Sequence, residues 1–265
     1  MTDEHVMTLG PDEPAAGLWR AVALEELIAC IRRAAGAPRG RPAVVAIDGR
    51  GGAGKSTLAQ RLHVAVTPSA VVHTDDVAWH HSFFGWHELL AQGVLQPTRE
   101  DRPVSYRPPA WQERGRAGAV EVPAGLELLF VEGTGAGRRE LSHLVDAVVW
   151  VQSDLHEAKR RALARDVAEG TAPGAAQAEA FWHEWMAEEI PFLAEQRPWD
   201  RACCMTAGTH VLDHAPHQVV VASGLADRPL VSSAGPDPTR RVGRPASGTR
   251  PPARARVRRR RTRRC

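Results

Sequence analysis

Cysteine is scarce in this sequence, and no stretch of it stays hydrophobic for long. The four cysteines stand at positions 30, 203, 204 and 265 with no CxxC pair and no metal-ligand spacing, so a disulfide scaffold is excluded and a zinc site is not expected. No apolar run approaches the roughly 18 residues that a membrane span needs. The first residues, Met1-Thr2-Asp3-Glu4-His5, are acidic where a secretory signal would be basic. We therefore expect a cytoplasmic protein without membrane contact.

Charge is distributed unevenly along the chain. The formal net charge is +3, but residues 226–265 hold 13 arginines against two aspartates, a net +11, which leaves −8 for residues 1–225. The basic segment also contains six prolines and few apolar clusters, so it cannot bury a core and is predicted to be disordered. It would either bind nucleic acid or another acidic surface, or be an extension without function. We favour the second interpretation.

Short apolar runs alternate with helical periodicity over residues 38–225, which predicts one α/β domain. Runs typical of buried strands stand at 43–47, 70–73, 126–131, 147–151 and 219–221, and helical patterns at 55–66, 138–144, 154–168 and 176–196. We expect a doubly wound parallel sheet that is covered by helices on both faces. An amphipathic helix over 15–36 precedes it. The chain thus divides into an N-terminal extension, 1–37, the domain, 38–225, and the basic tail, 226–265.

A glycine-rich motif directly follows the first predicted strand. It fits the pattern GxxxxGK[ST] and stands between a strand and a helix, the context in which this pattern binds nucleotide phosphates. Because the chain has only two lysines, Lys55 and Lys159, roughly one such sequence in a thousand would match by chance. Backbone N–H groups turn toward phosphate oxygens, Lys55 neutralises the β and γ phosphates, and the Ser56 hydroxyl binds Mg²⁺. The residues predicted to bind the ATP phosphates are Gly49, Gly51, Gly52, Ala53, Gly54, Lys55, Ser56 and Thr57.

The glycine-rich motif is the P-loop of nucleotide-binding proteins, and the complete absence of asparagine helps to decide which class of P-loop protein this is. A GTPase reads its base with an Asn-Lys-x-Asp element, which this chain cannot contain, and the Leu-Ser-Gly-Gly signature of transporter ATPases is also missing. The next predicted strand ends instead in two carboxylates, Asp75 and Asp76. A carboxylate at the carboxyl end of a parallel strand faces the P-loop crevice.

Four elements, taken in order along the chain, resemble the uridine kinase-like family of P-loop kinases, which includes phosphoribulokinase-like and pantothenate kinase-like relatives. The resemblance covers roughly residues 41–222. It implies a P-loop kinase domain that phosphorylates a hydroxyl of a small molecule, most typically a nucleoside, with ATP, Mg²⁺ and a mobile lid. The elements are Ile47-Asp48-Gly49 with the P-loop, Thr74-Asp75, Phe130-Val131-Glu132-Gly133, and Arg160-Arg161 with Arg165-Asp166.

The resemblance also implies catalytic roles outside the P-loop. Phosphoryl transfer to an alcohol needs a carboxylate that orients the hydroxyl and accepts its proton. We assign this role to Asp75, with Asp76 as the alternative because neighbouring strand residues point to opposite faces. Glu132 is expected to support the metal ion through water. Arg161 and Arg165, four residues apart on a helix, are expected to act with Lys55 on the transferred phosphate.

An insertion rich in aromatic residues and arginine separates the second and third predicted strands, and this is where the family holds its acceptor. Aromatic faces with a few polar groups suit a flat base and a ribose. The Asp-x-Phe-Tyr sequence typical of the family reads Asp75-Asp76-Val77-Ala78 here, so both aromatic residues are replaced. The residues predicted to bind the acceptor are Asp75, Trp79, Tyr106, Trp111 and Arg114.

Three other interpretations stay open at this point. The chain could be an ATPase or nucleotide-dependent switch without an acceptor, a kinase of another small alcohol, or a protein that binds nucleic acid through residues 226–265. A homo-oligomer is also compatible with the sequence. The helical pattern over 176–196 carries a band of large apolar side chains that we expect to pack on the sheet, with a cover over the site or a dimer surface as alternatives.

Overall fold

The computed structural model describes residues 7–226. Within these residues no helix is long and apolar enough to cross a membrane. The segment expected to be basic and disordered lies outside them, apart from Ala226. The strands are β1 (Arg20–Ala23), β2 (Ala43–Gly49), β3 (Ser69–His73), β4 (Val104–Tyr106), β5 (Val120–Val122), β6 (Leu128–Glu132), β7 (Ala147–Gln152), β8 (Ala202–Ala207) and β9 (Gln218–Ser223).

The helices alternate with these strands. A π-helical turn, Ala91–Leu95, joins α4 to α5, and 3-10 turns cover Arg139–Leu141 and Pro198–Arg201. The α-helices are α1 (Leu24–Ala35), α2 (Lys55–Ala65), α3 (Thr74–Ala78), α4 (His87–Leu90), α5 (Gln96–Arg99), α6 (Pro109–Glu113), α7 (Leu155–Ala168) and α8 (Ala175–Gln196).

Seven strands form one sheet in the order β1-β9-β8-β7-β2-β6-β3. The five strands from β3 to β8 in this order are parallel, while β9 and β1 pair antiparallel at the other edge. Side chains alternate between two buried clusters, since Val44 and Ala46 pack on one face and Val45 and Ile47 on the other. Apolar residues of α1 and α2 fill the second cluster, and those of the insertion and α8 fill the first. This is the α/β sheet, covered on both faces, that the sequence predicts.

The segment before β2 differs from the helix expected over 15–36. Residues Arg20–Ala23 pair antiparallel with β9, and α1 begins only at Leu24. The local periodicity is helical, but residues 20–23 form backbone hydrogen bonds with the edge strand β9. Such long-range pairing cannot be predicted from a local pattern of apolar residues. The helix keeps the expected apolar face, with Leu27, Ile28 and Ile31 buried.

Two further elements differ from the sequence patterns. The strand β8 lies inside the sheet but was not predicted, because its residues Ala-Cys-Cys-Met-Thr-Ala include no run of β-branched side chains. The helix expected over 138–144 is a single 3-10 turn, Arg139–Leu141. Glycines at 133, 135 and 137 precede that turn, and they form a loop instead of an early helical turn.

The parallel strands bring their carboxyl ends to one edge of the sheet. There β2 ends at Gly49, β3 at His73 and β6 at Glu132. The helices α2 and α3 begin at the same edge, at Lys55 and Thr74. Because β3, β6 and β2 are neighbours, residues that are far apart in sequence meet in one crevice beyond these strand ends.

The insertion between β3 and β6 forms one wall of this crevice. It contains α3 to α6 and a β4–β5 hairpin in which Val104 lies opposite Val122. Its buried residues Trp86, Leu90 and Trp111 share a core cluster with residues of the sheet. The insertion is therefore anchored to the sheet and not an independent unit.

Candidate active site

The P-loop joins β2 to α2 with two glycines in a left-handed conformation. The φ angles of Gly52 and Gly54 are 75° and 98°, which other residues rarely adopt. A Cβ on Gly52 would also lie 2.1 Å from the carbonyl oxygen of Ala158 in α7. The helix α2 starts at Lys55, so its first N–H groups and the positive end of its dipole face the loop. This geometry fits the binding of phosphate oxygens.

Two hydrogen bonds hold the side-chain amine of Lys55 against the P-loop. Its Nζ donates to the carbonyl oxygen of Arg50 at 2.9 Å and to the hydroxyl of Thr134 at 3.2 Å. Thr134 in turn donates to the carbonyl oxygen of Gly49 at 2.9 Å. The side chain of Lys55 is buried, so its amine is held where the β and γ phosphates of a bound nucleotide would lie.

Ser56 and Glu132, the two residues predicted to serve the metal ion, are in contact. Ser56 Oγ donates to Glu132 Oε1 at 3.0 Å. His73 lies beside Glu132 because β3 and β6 pair in register, and its Nδ1 contacts the same oxygen at 2.5 Å. Sequence reasoning overlooked His73, although the residue directly precedes Thr74-Asp75.

The electrostatics of this cluster keep Glu132 ionised. Burial raises the pKa of Glu132, but the hydrogen bonds from His73 and Ser56 and the charge of Lys55 bring its pKa below the ordinary value. The hydrogen bond to Glu132 raises the pKa of His73. An ionised carboxylate beside a hydroxyl oxygen is the donor set that Mg²⁺ prefers, so the residues present fit this ion.

Asp75 stands at the mouth of the crevice. The helix α3 begins at Thr74, so the two aspartates lie on a helical turn and not on the expected strand end. The carboxyl of Asp75 is open to solvent on one side, while the surrounding protein desolvates it and raises its pKa. Lys55 and Arg165 oppose this rise in pKa, and Glu132 adds to it. Asp75 thus shares its electrostatic surroundings with the P-loop lysine and with the carboxylate predicted to support the metal.

Asp76, the alternative to Asp75, binds the insertion instead. Its Oδ1 accepts a hydrogen bond from Arg116 Nη2 at 2.6 Å, and its carbonyl oxygen accepts one from Trp111 Nε1 at 2.8 Å. The guanidinium of Arg116 lies 3.7 Å from the centroid of the Trp111 ring and 5.2 Å from that of Trp79. Asp76 is therefore paired with the insertion, while Asp75 is exposed.

Two of the predicted acceptor residues, Trp79 and Trp111, are linked to Asp76 through Arg116. Trp79 is half-buried at the end of α3, with its ring edge-on to His80. Trp111 is buried in the core, and Arg116 stacks over its ring. Arg116 was not among the predicted residues, because the sequence pattern alone does not distinguish it from the arginine two positions earlier. Trp79, Trp111 and Arg116 thus form one group around Asp76, the residue that follows Asp75.

The other two predicted acceptor residues lie elsewhere. Tyr106 packs against Gly93 and lines a separate cavity of about 410 Å³. Burial raises the pKa of its phenol. Arg114 is exposed, and its backbone N–H ends α6 by donating to Ala110. None of the other predicted acceptor residues lines the cavity beside Tyr106.

The two arginines of α7 have different contacts. Arg161 Nη1 donates to the carbonyl oxygen of Gly208 at 2.6 Å. Arg165 pairs with Asp166 at 3.0 Å and lies close enough to Asp75 to lower the pKa of that carboxyl. The fold therefore brings Arg165 to the predicted base, while Arg161 ties α7 to the loop after β8.

Asp48 organises the glycine-rich loop 133–137 that follows β6. The carboxylate is fully buried. Burial raises the pKa of Asp48 to about 6, against the opposing effects of its hydrogen bonds and the charge of Lys55. Three backbone N–H groups donate to it, those of Gly49 at 2.7 Å, Gly135 at 2.9 Å and Gly137 at 2.8 Å.

Asp48→Asn is expected to lower the free energy of unfolding by about 1–3 kcal/mol, because the amide nitrogen would face N–H donors that need an acceptor. It should also change the pH dependence. The pKa of Asp48 is about 6 in the folded chain and ordinarily 3.8, so between these pH values the folded chain keeps a proton that the unfolded chain releases. This contribution favours folding at low pH and is lost as the pH rises through the window. Denaturant titrations across the window test this, and an Asn variant with the wild-type slope would contradict it.

A buried ionic network supports the P-loop from behind. Arg50 Nε donates to Glu13 Oε2 at 2.8 Å, and Arg50 Nη1 contacts Glu189 Oε1 at 3.4 Å. The other oxygen of Glu189 accepts the backbone N–H of Gly51 at 2.8 Å. All three charged side chains are at most 3% exposed. No local sequence signal marks this network, because Glu13 and Glu189 lie 37 and 139 positions from Arg50.

The aromatic band of α8 contacts the insertion more than the sheet. Phe192 stacks on Phe84 with ring centroids 4.0 Å apart, and the Trp185 ring lies 5.3 Å from both Phe83 and Phe84. Leu193, also on α8, is buried in the core cluster of the sheet, and Phe192 packs against that cluster. The band thus links the insertion to α8, the helix that also carries Glu189.

No family model matches this chain, and no curated protein matches it. Several solved structures are similar to it. A candidate fructose transport system kinase from Silicibacter sp. TM1040 is 19% identical over 60% of this chain and 93% of its own, with a TM-score of 0.43. A possible uridine kinase from Bacillus stearothermophilus is 18% identical over 67% and 97%, with a TM-score of 0.39.

A D-glycerate 3-kinase from Cryptococcus neoformans var. grubii is 14% identical over 63% of this chain and 86% of its own, with a TM-score of 0.43. Because these TM-scores are below 0.5, the function of this chain has to be inferred from its own residues. Those residues form a P-loop motif at the carboxyl edge of a mostly parallel sheet. The chain has an α/β fold of P-loop type, and its motifs resemble those of the uridine kinase-like P-loop kinases.

Proposed function

We propose that this chain is an ATP-dependent kinase that phosphorylates a hydroxyl group of a small molecule, with a nucleoside as the favoured acceptor. The observation that carries the proposal is the grouping of four chemically distinct residues at one edge of the sheet. Lys55 lies across the P-loop, Ser56 contacts Glu132, and Asp75 lies within the electrostatic reach of both Lys55 and Glu132. A protein that only binds a nucleotide has no need of the open carboxylate.

The P-loop and the Ser56–Glu132 pair would hold ATP with Mg²⁺. The loop supplies backbone N–H groups and the amine of Lys55 for the phosphates, and Ser56 supplies a hydroxyl ligand. Glu132 would hold the metal's water ligands, as an ionised carboxylate beside that hydroxyl can. When bound, the ion would supply positive charge that offsets the negative charge developing on the phosphate.

Asp75 and the cations around it would carry the transfer step. The acceptor hydroxyl forms a new bond from its oxygen to the γ phosphorus, its proton passes to Asp75, and the bond from γ phosphorus to the bridging oxygen breaks with its electron pair left on ADP. A raised pKa makes Asp75 a better proton acceptor than an ordinary aspartate. Lys55 and Arg165 would stabilise the charge on the transferred group.

The favoured acceptor follows from the aromatic and cationic side chains grouped around Asp76, next to Asp75 in the chain. Trp79 presents a half-buried indole, and Arg116 lies between that ring and Trp111. An aromatic face with a nearby guanidinium suits a flat heterocyclic base with polar edges. The replacement of the family's two aromatic residues by Val77 and Ala78 leaves other small alcohols as the alternative acceptors.

Lys55→Ala should lower kcat/KM for phosphate transfer by about 10²–10³-fold, since the amine acts on charge that develops in the transition state. The matched control is Lys159→Ala, which removes the only other lysine of the chain. Lys159 lies on the outer part of α7 in an ion pair with Glu179, so its loss should leave transfer unchanged within about twofold.

The readout is the phosphorylated acceptor, measured together with the far-UV circular dichroism of each variant. A folded Lys55→Ala variant that transfers phosphate at the wild-type rate would overturn the proposal. Slow ATP hydrolysis by the wild type that no acceptor accelerates would favour a nucleotide-dependent switch instead.

A further inference from the structure

Three cysteines that are remote in sequence meet on the face of the sheet opposite the insertion. Cys30 lies on α1, and Cys203 and Cys204 lie on β8. Their sulfur atoms are all within 4.8 Å of one another, and the two sulfurs on β8 are 3.9 Å apart. Cys203 and Cys204 are buried, while Cys30 is half-buried. The sequence spacing predicted no thiol site, because 173 positions separate Cys30 from Cys203 and only the fold joins them.

A β-bulge explains why two adjacent cysteines share one face. Val148 of β7 lies opposite Ala202, but the next residue, Val149, lies opposite Cys204, so Cys203 is an extra residue in the strand. Without the bulge, successive side chains would point to opposite faces. With it, Cys203 and Cys204 both join the core cluster beneath α1, whereas the flanking Ala202 and Met205 belong to the other cluster.

We propose that Cys30, Cys203 and Cys204 form a three-thiolate site for a soft d¹⁰ cation such as Zn²⁺ or Cd²⁺. Thiolate sulfurs are the ligands that such ions select. With metal–sulfur bonds of about 2.3 Å, tetrahedral coordination needs sulfurs about 3.8 Å apart. The 3.9 Å between Cys203 and Cys204 matches this spacing, and small movements of Cys30 complete it.

The residues around the three cysteines can balance the charge of such an ion and leave room for its fourth ligand. A divalent ion with three thiolates carries a net charge of −1 once the three thiol protons have passed to solvent. Arg33 stands one turn along α1 from Cys30, and its positive charge offsets part of that negative charge. Because Cys30 is half-buried, a water molecule can reach the remaining coordination position.

Such an ion would join α1 to β8. The site lies on the face opposite the insertion and α8, since α1 and α2 cover the cluster that contains the cysteines. Binding to the folded chain alone would raise the unfolding temperature, and the rise would grow with the logarithm of the free ion concentration above its Kd. The ion would thus be a structural one that does not depend on the kinase proposal.

The test is a Cd²⁺ titration of the reduced full-length chain carrying Cys265→Ser, so that the three clustered cysteines are its only thiols. Thiolate-to-metal charge-transfer absorption should rise to an end point of one ion per chain, and the melting temperature should increase. Adding Cys30→Ser to this background should abolish both changes. Zn²⁺ should displace the Cd²⁺ absorption.

The Cys204→Ala variant keeps the test valid if Cys30→Ser fails to fold. Cys204→Ala on the same background should also lose the absorption while its circular dichroism stays that of the parent protein. Absorption that survives in either folded variant would overturn the proposal. So would a folded parent protein whose three thiols all react with a thiol reagent but which binds no Cd²⁺.

Discussion

Asp75→Asn lowers kcat/KM for phosphate transfer by about 10²–10⁴-fold if Asp75 is the proton acceptor, which is the usual contribution of a positioned base. The substitution keeps the shape of the side chain and removes its ability to take a proton. ATP affinity should change little, because the P-loop contacts remain and only an anion near the phosphates is lost. The acid limb of the wild-type pH profile should lie above the ordinary pKa of aspartate, since burial raises the pKa of Asp75.

Asp76→Asn is the matched control one position away. Asp76 pairs with Arg116 at 2.6 Å, and both side chains are about one-third exposed. A pair of this exposure contributes about 1 kcal/mol or less, so the control should change kcat/KM by less than about tenfold. Steady-state kinetics with the same acceptor distinguishes the two variants. The opposite result, a large loss in Asp76→Asn with none in Asp75→Asn, would transfer the base role to Asp76.

Arg50→Met lowers the free energy of unfolding by about 3–5 kcal/mol, the range observed when one partner of a buried ion pair is removed. The methionine fills much the same volume but leaves Glu13 and Glu189 buried without their cation. Glu189 also accepts the N–H of Gly51 and the indole N–H of Trp185, at 2.8 and 2.7 Å. We therefore expect the P-loop and α8 to loosen together, with weaker ATP binding as a second effect.

Arg160→Met provides the comparison at the surface. Arg160 pairs with Glu157 at 2.6 Å, but its side chain is 71% exposed. Exposed pairs of this kind contribute little, so the stability of this variant should stay close to that of the wild type. Chemical denaturation of both variants at the same pH measures the difference. Equal stabilities of Arg50→Met and Arg160→Met would contradict the supporting role of the network.

The part of the candidate site that the sequence specifies most clearly consists of residues that are close together in the chain. From Gly49 to Thr57 the motif occupies nine consecutive residues between a strand and a helix, so strand, turn and helix signals coincide. Glu132 was predicted in the same way, because it ends an apolar strand. The pairing of β2 with β6 places the start of α2 next to the end of β6, and Ser56 there donates a hydrogen bond to Glu132.

The parts that were missed depend on long-range packing. The choice between Asp75 and Asp76 could not be made from strand alternation, because α3 begins at Thr74 and replaces that alternation with a helical turn. Arg116 and not Arg114 reaches the aromatic pair, a difference set by how α6 ends.

Two further features, the Glu13–Arg50 ion pair and the bulge at Cys203, could not be predicted because they depend on contacts between distant parts of the chain. Glu13 reaches Arg50 only because the N-terminal segment crosses the ends of β2 and β7, where it also accepts the indole N–H of Trp150 at 2.8 Å. The bulge at Cys203 depends on pairing with β7, and pairing partners are not encoded in a single strand.

The most direct test of the central claim is transfer of the γ phosphate of ATP to a panel of nucleosides, nucleoside monophosphates and small alcohols, with products resolved by mass. We expect one class of acceptor to gain a single phosphate in a Mg²⁺-dependent reaction that Lys55→Ala and Asp75→Asn both abolish while Lys159→Ala and Asp76→Asn do not. A folded protein that binds ATP and phosphorylates no member of the panel would contradict the account.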